Sequence, residues 1–389
     1  MRRRLPGAGP HAGLPAGPHA GLPILILLIA AFCLLLPGRV LAGPPEVTAD
    51  AAVLMDAATG RVYYAKNPHQ RRAPASLTKI MTALLALEYG NLDDVVTVSP
   101  RAAYIFEGSI IDLHPGEQIT LRNLLKAALI MSANDSTVAI AEHVGGTEEK
   151  FLQMMNAKAA LLGALHTRYA NTNGYTHPNH YSTAYDLALI TRYALNNPQF
   201  RQFVGTRDDV VEWWGRPRKE AVHNTNRLLH GGYPGVDGVK TGSTATAGNC
   251  LVATARRGDR RLITVVLHSA NRYADTVRLL DYGFGEIEQI FLCKNGEAVR
   301  NCPVREGALP EVTAVAKGDL PVDILREEIP RLKRQVLLTE PVPAPVQAGQ
   351  KMGEAVFYLG ENELGRVDLV AAGAVPRKGW LTRMREKMF

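Results

Sequence analysis

Three short groups of polar residues in this 389-residue chain have the types and spacing to do chemistry. The first is S-L-T-K at 76–79, which follows Pro74 and leads into the apolar run Ile80 to Leu87. Ser76 and Lys79 are three apart, so on a helix they share a face. A serine at a helix start ordinarily caps it. A lysine there opposes the helix dipole, and burial would lower its pKa. A neutral amine beside a hydroxyl is a base paired with a nucleophile. The second group is M-S-A-N-D-S at 131–136, on an expected connection between two helices. Ser132 could pass a proton and Asn134 could hold a carbonyl, although Asp135 or Ser136 could equally start the next helix as a cap. The third is Lys240-Thr241-Gly242-Ser243 in V-D-G-V-K-T-G-S-T. An ammonium and a hydroxyl suit a carboxylate, and glycine permits close backbone approach. Each group alone is common, and their order and separation carry the information.

The elements that must hold these groups follow from periodicity. Alternation over 47–66, with D-A-A-T-G at 56–60, predicts a hairpin. Apolar residues at three- and four-residue spacing predict helices over 76–89, 121–131, 135–144, 148–162 and 183–196. Strand character returns at 236–240, 248–255 and 261–268, with R-R-G-D-R-R at 256–261 as a turn, and a helix follows at about 272–283. Strands at both ends and helices between predict one antiparallel sheet covered by helices, an α/β (α+β) domain over 43–285. Short β-like runs separated by Gly and Pro predict a small all-β domain over 286–375.

The formal charge of +7 sits at the two ends. Residues 1–42 carry four arginines and no acid, and residues 376–389 carry five basic residues against Glu386, which leaves −1 on everything between. A near-neutral body argues against a nucleic-acid partner. Residues 1–42 read as a signal peptide: arginines, the uncharged run Ile24 to Leu36, then Val40-Leu41-Ala42 as a cleavage site. An uncleaved signal anchor is the alternative. At 376–389, Trp380, Leu381, Met384 and Met388 share a helical face apart from most of the basic residues, as in an amphipathic helix on a membrane surface. A solvated or self-packed tail is the plainer reading. Cys293 and Cys302 could form a disulfide or stay as separate thiols. No residues have convincing metal-site spacing; His177 and His180 lack a third ligand, and no cofactor is expected.

In this order, S-x-x-K, S-x-N and K-T-G are the signature of penicillin-binding proteins and serine β-lactamases. With A-P-A-S-L-T-K-I-M-T-A-L at 73–84, H-Y-S-T-A-Y-D-L-A at 180–188 and V-D-G-V-K-T-G at 236–242, the chain resembles low-molecular-weight D-alanyl-D-alanine carboxypeptidases. The resemblance implies an exported, extracytoplasmic enzyme that removes the terminal D-alanine of peptidoglycan stem peptides and is acylated by β-lactams. It implies Ser76 as nucleophile, Lys79 as base and Ser132 as proton relay. Asn134, Lys240, Thr241, Gly242 and Ser243 would bind substrate, with the N–H groups of Ser76 and Ser243 as oxyanion hole. Arg272 resembles an arginine that some members place near the substrate. A DD-endopeptidase or transpeptidase of the same superfamily is the alternative. A β-lactamase would also need a deacylating glutamate, carried in class A enzymes by an E-x-x-x-N loop; Glu148, Glu149, Glu212 and Glu220 lie in the relevant interval. A non-enzymic cell-wall binding protein would not need an intact Ser76–Lys79 pair.

Overall fold

The computed structural model describes residues 43–379. The expected signal peptide, and the part of the amphipathic tail from Trp380 onward, lie outside the described residues. Strands β1 (Ala51–Asp56) and β2 (Val62–Lys66) form the first hairpin. A 3-10 turn at Ala75–Thr78 leads into α1 (Lys79–Tyr89), which is buried from Lys79 to Ala86. A helix apolar all round belongs in a core rather than on a surface. Then come β3 (Val95–Thr97), α2 (Pro100–Ala103), β4 (Gln118–Thr120) and α3 (Leu121–Lys126). Next are α4 (Asp135–Gly145), α5 (Glu148–Leu161), α6 (Ala184–Ala194) and α7 (Pro198–Gly205). Their N-caps repeat one device: Thr147, Thr183 and Asn197 accept backbone N–H bonds at the starts of α5, α6 and α7.

Strands β5 (Asp208–Glu212) and β6 (Lys219–His223) form a small separate hairpin. The main sheet is completed by β7 (Val236–Thr244), β8 (Gly248–Arg257) and β9 (Arg260–Ser269). Its order is β2-β1-β9-β8-β7, all antiparallel. The first and last strands in sequence are thus brought into one sheet, with Val53 opposite Val265, as the strand–helix–strand order predicts. Successive β1 residues enter different cores: Val53 and Met55 face the helices around α1, whereas Ala52 and Leu54 face α8 (Arg272–Glu286). A strand buried on both faces reads as a continuous apolar run.

The C-terminal domain contains β10 (Ile287–Cys293), β11 (Ala298–Arg305), β12 (Glu311–Ala316) and β13 (Leu320–Leu325). It continues with β14 (Leu332–Leu338), β15 (Val342–Pro343), β16 (Lys351–Leu359) and β17 (Asn362–Ala371). A six-stranded sheet of order β14-β16-β17-β12-β11-β15 lies beside the β10–β13 pair. Cys293 and Cys302 are buried in its core as separate thiols, which answers the disulfide question. Pro376 and Lys378 are hydrogen-bonded to this domain, and Arg377 donates to Ala344 O at 2.7 Å, so the β domain extends beyond residue 375. The two domains meet where Arg61 pairs with Glu328 at 2.7 Å and Arg260 with Asp323 at 2.7 Å.

Asp275 of α8 holds the N-terminal strand in place. Its fully buried carboxylate accepts from Thr48 N, Thr48 Oγ1, Ala49 N and Ser269 Oγ at 2.7–3.0 Å. Burial raises its pKa, but these bonds outweigh burial and hold the carboxyl below its ordinary value. Asp275→Ala leaves buried N–H groups unpaired and is expected to cost about 3 kcal/mol in denaturant unfolding. The depressed pKa means the bonds contribute fully above the unfolded carboxyl value and are lost as pH falls through the folded one. The gap between wild type and variant should therefore narrow in acid.

Candidate active site

The sequence around Ser76 folds to expose one hydroxyl above a buried amine. Ala75 has φ of +48°, so the chain turns sharply into the 3-10 turn that carries Ser76, and Ser76 is not a side-chain cap. One turn later Lys79 is fully buried. Its Nζ is 3.0 Å from Ser76 Oγ, 2.7 Å from Asn134 Oδ1 and 2.9 Å from Asn173 O. Asn134 Nδ2 donates to Glu107 O at 2.6 Å, which fixes which end of the amide faces Lys79. Burial, then the nearby charge of Lys240, push the Lys79 pKa well below that of an ordinary lysine. A neutral amine has two N–H groups and one lone pair. The two carbonyl oxygens can only accept, so in the neutral form they take the N–H groups and leave the lone pair for the Ser76 hydroxyl.

Ser132 reaches the same cavity by a different local device. α3 passes into a π-helical turn at Ala127–Met131, a feature common at functional sites. Ser132 then adopts φ of +73°, breaks the helix and lines the cavity opposite Ser76. Asn134 follows immediately before α4.

The far wall is β7. It is an edge strand, paired only with β8, so its outward backbone groups face the cavity. Gly242 lies so close that a Cβ there would come 3.1 Å from Ser76 N. Ser76 and Ser243 both line the cavity on either side of this close approach. Lys240 is buried, and Thr241 Oγ1 is 2.6 Å from Thr225 Oγ1. Arg272, at the start of α8, donates to Gly242 O at 2.9 Å and Ser243 Oγ at 2.8 Å and lines the cavity. Burial, then the Arg272 charge, bring the Lys240 pKa down to about 7, so its charge is less secure than the sequence suggests. The cavity is about 510 Å³, and no carboxylate lines it.

Of the eight residues singled out in sequence, Ser76, Ser132, Asn134, Thr241, Gly242 and Ser243 line one space, Lys79 is buried behind Ser76, and Lys240 is buried on β7 without lining it. Two further contributors carry only a turn signal in sequence. Asn173 supplies the carbonyl that holds Lys79, and Gly174 packs where a Cβ would come 1.8 Å from Ala75 O. The Asn-Gly pair was the available signal. His177 and His180 hold no metal-like cluster, and none occurs among the described residues. Glu220 does have an asparagine four residues on, Asn224, but it lies on β6 opposite Val211 and outside the cavity, so it cannot serve as a deacylating base there.

Residues 39–271 match a family model described as D-alanyl-D-alanine carboxypeptidase, and residues 288–377 one described as penicillin-binding protein 5, C-terminal domain. The D-alanyl-D-alanine carboxypeptidase DacF of Bacillus subtilis is 37% identical over 351 residues, covering 87% of this chain and 89% of DacF. The crystal structure of the D-alanyl-D-alanine carboxypeptidase DacD from Francisella tularensis is 27% identical with a TM-score of 0.69, covering 89% of this chain and 98% of that one. Penicillin binding protein 5 from Haemophilus influenzae is 30% identical with a TM-score of 0.66, covering 86% of this chain and all of that one.

Proposed function

The chain belongs to the D-alanyl-D-alanine carboxypeptidase family, and from that premise we propose a role for each residue of the cavity. The protein is a serine-type D-Ala–D-Ala carboxypeptidase that trims peptidoglycan stem peptides and binds penicillin. The observation that carries the mechanism is the buried Lys79 amine 3.0 Å from Ser76 Oγ, with Asn134 Oδ1 and Asn173 O as its other partners. Lys79 takes the Ser76 proton as Oγ attacks the carbonyl of the D-Ala–D-Ala bond. The negative charge that forms on the carbonyl oxygen is stabilised by the N–H groups of Ser76 and Ser243. Ser132, across the cavity, passes the proton to the departing D-alanine nitrogen. Water then cleaves the acyl-enzyme. A β-lactam presents a strained amide beside a matching carboxylate and stops at the ester.

The cationic end of the cavity selects the substrate's free carboxylate. Thr241 and Arg272 line it, Lys240 is buried on the same strand, and no acid lines the cavity to neutralise them. Asn134 orients the peptide amide, and the edge of β7 offers backbone pairing to an extended peptide. Gly242 contributes by leaving room for that approach.

The substrate places the enzyme on the extracytoplasmic side. Export through residues 1–42 and attachment through the basic C-terminal segment belong to our reading, supported by the charge pattern. No helix among the described residues is long and apolar enough to cross a membrane.

Fluorescent penicillin should label the wild type, and Ser76→Ala should abolish both labelling and release of D-alanine from a pentapeptide. Labelling that survives Ser76→Ala would overturn the assignment of the nucleophile. Accumulation of cross-linked product in place of free D-alanine would favour transpeptidation.

The plot of kcat/KM against pH should be bell-shaped. Its acid limb reports Lys79, which works only once deprotonated. Its alkaline limb begins near pH 7, where Lys240 loses the charge that holds the carboxylate. A pentapeptide with an amidated C-terminus should lack that alkaline limb; an identical profile would remove Lys240 from carboxylate binding.

Truncation after Gly379 should move the protein from the membrane to the soluble fraction and spare D-alanine release. Unchanged fractionation of a chain from which residues 1–42 have been cleaved would overturn the anchor.

A further inference from the structure

Thr78 and His180 are buried beneath the cavity, and neither lines it. They are hydrogen-bonded in a chain with a fixed direction. His180 Nδ1 accepts the N–H of Ala170 at 3.0 Å, so the ring proton is on Nε2. Nε2 lies 2.8 Å from Thr78 Oγ1 and donates to it. Thr78 Oγ1 in turn donates to Ala75 O at 2.8 Å. Burial brings the His180 pKa down to about 4, which keeps the ring neutral and Nδ1 free to accept. The Tyr169 ring meets the imidazole edge-on at 5.7 Å and holds its plane.

Ala75 C=O and Ser76 N–H are the two ends of one peptide group. A donor on the carbonyl polarises that group and strengthens the N–H as a donor at its other end, the cooperativity expected of a buried chain of bonds. The left-handed φ of Ala75 turns this carbonyl toward the interior, where Gly174 leaves room for it. A non-glycine residue in that region costs about 1–2 kcal/mol. The strain is maintained one residue before the nucleophile, where it aims both ends of the peptide.

We infer that His180 and Thr78 are positioning residues that polarise the Ala75–Ser76 peptide and so set the strength of the oxyanion hole. The inference rests on the proposed role of the Ser76 N–H in that hole. Neither residue touches substrate. Their effect reaches the reaction through one backbone amide, so it acts on the acylation step and on the acyl-enzyme carbonyl rather than on initial binding.

The test uses the mature protein with penicillin as acylating agent. It separates the dissociation constant of the non-covalent complex from the first-order acylation rate. Infrared difference spectroscopy then reads the ester carbonyl of the acyl-enzyme. Removing a whole oxyanion donor costs about 10²–10³ in rate, so weakening one should cost about tenfold. Thr78→Val is expected to slow acylation to that extent with an unchanged dissociation constant. Its ester band should move to higher wavenumber, because the carbonyl is less polarised. Thr78→Ser keeps the hydroxyl and should restore both readouts. His180→Leu leaves Thr78 in place and should shift both readouts in the same direction by less. Wild-type acylation and an unmoved carbonyl band in Thr78→Val or in His180→Leu would overturn the inference. So would a Thr78→Ser variant as slow as Thr78→Val. A wild type that penicillin does not acylate would instead overturn the parent reading of Ser76.

Discussion

The burial of one lysine amine organises this active site. A charged ammonium fully removed from water is costly, and burial is met by neutralising it. Neutral Lys79 then needs acceptors for two N–H groups, and these come from segments far apart in sequence: Asn134 before α4 and Asn173 in the loop before α6. Those two contacts also close the cavity on the side away from β7. The same requirement explains why α1 is apolar all round, since only a core helix can carry its first residue into the interior. A single desolvated group thus draws Ser76, Asn134 and Asn173 around one point.

The second constraint is that β7 stays at the sheet edge. Its residues Thr241 to Thr244 line the cavity, so another strand paired there would cover it. The C-terminal domain is instead fastened at the turns of the other strands. Arg61 follows the β1–β2 turn and Arg260 opens β9, and both reach Asp323 and its neighbourhood. The domain's own sheet is completed by β11–β12 pairing and by β16–β17, without using β7. A separate domain can therefore be added to the enzyme while leaving its functional edge open.

Much of this was legible because the relevant signals are local. The helix periods predicted α1, α4, α5 and α6 closely, and alternation at both chain ends predicted one shared sheet. Ser76, Ser132 and Lys240 stood out because their motifs are short and ordered. What was less legible depends on contacts distant in sequence. Asn173 looks like any Asn-Gly turn until its carbonyl is found on Lys79. His180 reads as one of two histidines in a turn-rich loop, yet its role depends on Ala170 and Thr78. Arg272 is singled out only by resemblance until β7 is placed beside α8. The β5–β6 and β3–β4 hairpins were missed because they are short and half-exposed, so burial imprints little pattern on them.

Net charge illustrates the same limit. The residues between the two basic ends sum to −1, and on that measure the body has no electrostatic preference. Arg272 nevertheless lines the cavity with no acid on that lining, and Lys79 and Lys240 are buried close enough to lower one pKa through the other. Low-dielectric walls concentrate the field of those groups where a carboxylate has to dock. The same crowding lowers the pKa values of the two lysines, so one set of contacts yields both an anion site and a neutral base. Which lysine keeps its proton then depends on geometry. Lys79 is held by Asn134 Oδ1 and Asn173 O, and burial and Lys240 outweigh the favourable charge of Asp135. Lys240, beside Thr241 and Arg272, gains a partner when a carboxylate arrives, and that anion raises its pKa and restores its charge. Substrate binding thus separates two lysines that burial had pushed in the same direction.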